Sequence, residues 1–112
     1  MQLEADYKPQ LMQRIKRRFS KYGEVRFQHN NPNDPSSQGI PDLTVFIGAT
    51  WSLLEVKRSA KSKKRPNQDY WVEHYAQITF SAFICPENEE EVLDALERSL
   101  AARGDACLSV PQ

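Results

Sequence analysis

At 112 residues the sequence has room for one domain with a modest hydrophobic core. Hydrophobic residues at 39% and charged residues at 27% exclude fibrous and disordered chains. The formal net charge is zero, but residues 1–65 hold 13 basic and 6 acidic side chains against 2 and 9 in residues 66–112, so the halves carry +7 and −7.

A polyanion would be drawn to the first half and repelled by the second. The alternative is that the two halves attract each other. No apolar run approaches the roughly 20 residues a bilayer span needs. The opening Met1-Gln2-Leu3-Glu4-Ala5-Asp6 lacks the basic-then-apolar pattern of a signal peptide. A cytoplasmic protein without membrane contact is therefore expected. Two cysteines, Cys85 and Cys107, are too few for a disulfide framework and lack metal-site spacing. Cys85 ends an apolar run and reads as a small buried hydrophobe.

In chain order, residues 8–21 (KPQLMQRIKRRFSK) are predicted to be a helix. Leu11, Met12, Ile15 and Phe19 recur at helical spacing, and Pro9 suits a first turn. Arg14, Lys16, Arg17, Arg18 and Lys21 occupy its other face, and Gly23 ends it. A strand follows over residues 24–28. The stretch from Asn30 to Gly39 has almost no apolar side chains, which marks a long loop of the kind that carries function. Residues 42–47 (DLTVFI) and 51–57 (WSLLEVK) read as strands joined by the turn Gly48-Ala49-Thr50. A basic loop, residues 58–65 (RSAKSKKR), precedes a helix opened by Pro66-Asn67 and running to about Ala76. Residues 78–84 form a strand, and residues 87–103 a helix with Val92, Leu93, Leu96 and Leu100 as its apolar stripe. Its first turns are acidic, as the helix dipole favours. Gly104 is expected to end this helix and leave a loose tail, with the domain core at about residues 4–103 of a single domain spanning 1–112. The sum is an α/β domain with a mixed sheet, antiparallel in the hairpin and parallel across the helical crossover.

The chemistry-bearing segment is Gly39-Ile40-Pro41-Asp42 followed, beyond the turn, by Glu55-Val56-Lys57. Strand side chains alternate faces, so Glu55 and Lys57 share one face, expected to point outward into a cleft, and leave the core to Leu54 and Val56. In an antiparallel hairpin the start of the first strand lies beside the end of the second, so Asp42 can meet Glu55 and Lys57. Two carboxylates suit Mg²⁺, which takes hard oxygen ligands together with waters and phosphate oxygens. A neighbouring lysine can position a water or stabilise developing charge on a phosphate. Standing alone, a Glu and a Lys two apart on a strand are commonplace; the ordered set carries the argument.

This set resembles the PD-(D/E)xK nuclease superfamily, and residues 39–71 look closest to the stand-alone VRR-Nuc type of phages and bacteria. The resemblance covers about residues 4–84. It implies a restriction-endonuclease-like mixed central sheet flanked by helices. It also implies a Mg²⁺- or Mn²⁺-dependent endodeoxyribonuclease, with flaps and four-way junctions among its candidate substrates, in the cytoplasm of a bacterium or a phage-infected cell. Asp42 and Glu55 would bind the metal with the Val56 backbone carbonyl, Lys57 would serve the attacking water, and Gln68 would join the site from the next helix. These nucleases commonly add a carboxylate from the first helix. The helix expected over residues 8–21 has none, which leaves Glu4 ahead of Asp6 as the candidate.

Around this centre, Arg58, Lys61, Lys63, Lys64 and Arg65 could grip flanking phosphates. Arg26, His29 and Asn30 end the first strand where the resembled family places polar cleft residues. Arg17, Arg18 and Lys21 could extend the track, though exposed helical basics are usually just solvated. Tyr70, Trp71 and Tyr75 could stack on bases, with core packing the favoured role for Trp71. A core this small suggests a homodimer, with the acidic last helix available for subunit contact. The competing readings are a catalytically inactive nuclease-like DNA-binding module, and an interaction domain whose acidic helix binds a basic protein.

Overall fold

Helix formation at the start of the chain follows a four-residue apolar repeat. Tyr7, Leu11, Ile15 and Phe19 lie one turn apart, and each is at most 1% exposed. Burying such a side chain is worth about 2 kcal/mol. In the computed structural model, which describes residues 4–31, 33–62 and 67–109 (with the side chains of residues 4, 5, 37 and 104–109 left aside), this repeat forms α1, Glu4–Phe19. A 3₁₀ turn (Ser20–Tyr22), β1 (Val25–His29) and a second 3₁₀ turn (Pro35–Ser37) follow. Then come β2 (Leu43–Ile47), β3 (Thr50–Val56), α2 (Gln68–Ala76), β4 (Phe80–Ile84) and α3 (Glu89–Ser109).

Two helix boundaries differ from the sequence reading. Pro9 lies inside α1 and forfeits one backbone hydrogen bond. Tyr7 outweighs that loss: its ring extends the buried stripe a turn earlier, and its hydroxyl donates to Glu89 at 2.8 Å. At the other end α3 continues through Gly104 to Ser109 in place of a loose tail. A helical glycine costs only about 1 kcal/mol relative to alanine, too little to stop a run rich in alanine and leucine.

The four strands lie in sheet order β1-β2-β3-β4. The first two pairings are antiparallel and the β3–β4 pairing is parallel, as a helical crossover through α2 requires. The expected α/β class with a mixed sheet is thus what the chain adopts. The β2–β3 turn is shorter than expected, since Ile47 pairs with Thr50 and only Gly48-Ala49 lie between. Gly48 has φ 59°, at the position that a two-residue hairpin of the II′ class reserves for glycine.

One sheet face presents Val25, Leu43, Val45, Ile47, Leu54, Val56 and Ile84 to the stripes of α1 and α3, including Val92, Leu93, Leu96 and Leu100. The alternate residues Leu53, Glu55 and Lys57 point to the other face, where α2 packs over β3 and β4. Cys85, just past β4, is a buried free thiol whose pKa is pushed up by that burial. Among the described residues no helix is long and apolar enough to cross a membrane.

Candidate active site

Hairpin register brings the first two acids together. Leu43 pairs with Leu54, so Asp42, one residue earlier, lies opposite Glu55, one residue later. The Asp42 carboxylate then reaches along the strand end. Its Oδ1 accepts from the Val56 N–H at 2.9 Å, and its Oδ2 accepts from the Lys8 ammonium at 3.1 Å. The N–H and C=O of one strand residue leave the same strand edge, so the Val56 carbonyl also emerges toward Asp42.

Asn30 fixes the approach to this strand. It is 4% exposed, and its side-chain amide donates to the Pro41 carbonyl at 2.9 Å and to Thr44 Oγ1 at 2.8 Å. Its backbone N–H donates to the Asp42 carbonyl at 2.7 Å. Gly39 fixes the other side. With φ 89° it lies flat against the Trp71 indole, where a Cβ would come within 2.8 Å of Cε2. The Gly-x-Pro-Asp segment is therefore wedged between β1 and α2, and the Asp42 position follows from both.

Gln68 is the first residue of α2 and is 9% exposed. Asn67, with φ 68°, turns the chain into that helix in the left-handed conformation that asparagine tolerates. The result is a cleft of about 330 Å³ lined by Asn30, Gly39, Asp42, Glu55, Gln68 and Trp71, among others. Of the residues the sequence analysis placed at the site or its cleft, Asn30, Asp42, Glu55 and Gln68 share this cleft.

Other predicted residues lie elsewhere. Lys57 follows Glu55 on the same face but is 9% exposed beneath its surroundings and does not line the cleft. Glu55 and Lys57 are thus buried, whereas the sequence reading had them facing outward, because α2 closes over that face. Arg26 pairs in register with Phe46, toward the far end of β2 from Asp42, and its closest charged neighbour is Glu24 at 3.7 Å. It is not a cleft residue. His29 lines a separate groove with Lys8, Met12 and Phe27. Arg58 and Lys61 are exposed and absent from the cleft lining. Glu87 accepts from the Ala60 N–H and feels Lys61, which holds its carboxyl below the usual range and ties this loop to the approach to α3. Lys63, Lys64 and Arg65, and the side chain of Glu4, lie outside the described residues.

The residue that sequence reasoning missed is Lys8. It is 34 positions from Asp42, and only the packing of α1 beside the β2 start brings them together. Trp71 was expected chiefly in the core; it is half-buried and walls the cleft.

The basic face of α1 also has partners. Arg14 donates to Glu89 through Nε at 2.6 Å and Nη2 at 2.8 Å. Arg18 meets Asp94 at 2.6 Å and Glu97 at 2.9 Å, with Glu90 at 3.6 Å. Lys21 reaches Glu97 at 3.4 Å. Tyr22, bonded to Glu97, and Arg18 hold that carboxyl at a pKa of about 2. The Arg14 guanidinium, ahead of the Tyr7 hydroxyl, lowers Glu89. Arg18 and Lys21 are accordingly committed to α3, so they are not an open phosphate track. Arg14, Arg18 and Lys21 of the basic half are thus paired with Glu89, Glu90, Asp94 and Glu97 of the acidic half.

Among the described residues no group of three His, Cys, Asp or Glu stands together. The charged oxygen ligands lining the cleft are the Asp42 and Glu55 carboxylates, and the Val56 carbonyl leaves the strand edge beside Asp42. That set fits a hard divalent cation, which uses one or two carboxylates and fills its octahedron with water and phosphate oxygens. The chain matches no family model, no curated protein and no solved structure among those compared. Its function has to be argued from this geometry.

Proposed function

We propose that the chain is a Mg²⁺- or Mn²⁺-dependent endonuclease of restriction-endonuclease-like fold that hydrolyses the phosphodiester backbone of DNA. One observation carries the reading: Asp42 and Glu55, from opposite strands of a hairpin, converge on a single cleft with Gln68, and the Val56 N–H orients Asp42. Carboxylates are poor partners for a polyanion unless a cation stands between them. A divalent ion held there would supply charge neutralisation at the scissile phosphate and acidify a water. Asp42 and Glu55 hold and orient, with Val56 contributing its carbonyl. Gln68, at the mouth of α2, hydrogen-bonds the water or a phosphate oxygen. Lys57, two residues beyond Glu55 on the same sheet face, would stabilise developing charge or take a proton once its side chain turns toward the cleft.

Labelled linear, flapped and four-way DNA, incubated with Mg²⁺, Mn²⁺ or EDTA, tests this. Metal-dependent cutting by the wild type that Asp42→Ala lacks is the expected result. Equal cutting by both proteins, in preparations free of other nucleases, refutes the site. A homodimer placing two clefts on two strands belongs to the same reading; full activity from a species that sediments as a monomer rules it out.

The second reading is an inactive nuclease-like module that binds DNA. The Lys8–Asp42 ion pair favours it, since a resident ammonium already compensates one carboxylate. Tight binding with no cutting under any metal would select it. The interaction-domain reading loses ground, because Glu89, Asp94 and Glu97 are engaged by α1.

A further inference from the structure

We propose that the Lys8 ammonium takes the place of a second divalent cation, so that the cleft binds one metal ion per chain. This rests on the metal-dependent reading above and goes beyond it by fixing the number of ions and the role of a residue that reading leaves out.

Two observations carry it. Lys8 Nζ lies 3.1 Å from Asp42 Oδ2, and both side chains are largely withdrawn from water, at 19% and 12% exposure. The contact is therefore a built part of the site, unlike a solvated surface pair. Asp42 is also engaged at both oxygens, with the Val56 N–H on Oδ1 and Lys8 on Oδ2. Each carboxylate oxygen keeps a second lone-pair direction, so one ion shared with Glu55 and the Val56 carbonyl is accommodated. A further ion on the α1 side of Asp42 would have to occupy the space of the ammonium and would be repelled by its charge.

Calorimetric titration of Mn²⁺ into the DNA-free full-length chain reads the stoichiometry directly, independently of activity. The wild type is expected to bind one ion. Lys8→Met keeps the aliphatic stem and removes the charge; it is expected to bind Mn²⁺ about tenfold more tightly, because a nearby like charge is gone. Circular dichroism checks that the variant folds, and the wild-type stoichiometry decides the matter without it. Two ions on the wild type, one of them lost in Glu4→Gln, would overturn the inference and leave the nuclease reading standing. So would unchanged affinity in a folded Lys8→Met. Absence of Mn²⁺ binding at millimolar concentration would overturn both.

Discussion

Helix α1 serves two regions in different ways. Toward α3 it sends Arg14 and Arg18, joined by Lys21 from the following 3₁₀ turn, into a seam where acids and bases meet in comparable number. Toward the sheet it sends Lys8 to Asp42, which lines a cleft with Glu55 while Lys8 itself lines the neighbouring groove. In the seam, charge is consumed in holding two helices together. In the cleft, it is concentrated at strand ends beside a space large enough for a ligand. Ion pairing by itself does not distinguish the two, and a groove of about 220 Å³ opens beside the seam as well; what sets the cleft apart is that two carboxylates from different strands line it with no guanidinium among the lining residues.

The sharpest way to break this contrast is to remove charge from each region in turn. Asp42→Asn keeps the size of the side chain and should lower cleavage by at least about 10²-fold in single-turnover assays. The same variant leaves the Lys8 ammonium without its ion-pair partner, so a lower melting temperature is expected as well. Gly39→Ala tests whether the cleft wall is packed as tightly as the core. The new methyl would meet the Trp71 indole at 2.8 Å in a backbone conformation alanine resists. A loss of about 2–3 kcal/mol in urea unfolding is expected.

Arg14→Ala removes a bidentate partner from Glu89, whose side chain is only 11% exposed. It should cost about 1–2 kcal/mol of stability while leaving cleavage intact. This difference should depend on pH. Arg14 lowers the Glu89 pKa in the folded state, so its contribution is complete above the unfolded value of 4.5 and is lost as pH falls through the folded value. Wild type and Arg14→Ala should converge in stability in acid, as parallel denaturant titrations would reveal. The smallest effect is expected at the exposed Lys61. Charge reversal there should reduce the salt dependence of DNA binding by about one phosphate contact; an unchanged slope would take that loop out of the interface.

The hairpin and its acids were legible in the sequence because their geometry is local. Period-two alternation and a glycine turn are enough to bring Asp42 opposite Glu55. Gln68 came from the resemblance alone, which puts a glutamine at the start of the helix that Pro66-Asn67 opens. The start of α1 was obscured by Pro9, which resembles a first-turn residue, and the real start depends on Tyr7 finding Glu89 82 positions away. Lys8 was hidden in the same way, because helix packing, with no spacing rule behind it, sets what it faces. The opposite charges of the two halves pointed both to a polyanion and to self-attraction. The α1–α3 seam shows how much of that charge is internal, which no count of lysines and glutamates could apportion.

The contact between Gly39 and Trp71 also gives the molecule an optical handle. The sequence has two tryptophans. Trp51 is 40% exposed and pairs with Phe46, away from the strand ends where Asp42 and Glu55 meet, whereas the Trp71 indole lies against the backbone that leads into Asp42. Replacing Trp51 with phenylalanine would leave one intrinsic fluorophore on the cleft wall. Its emission would then follow occupancy of the cleft without a label, in the same sample used to follow unfolding.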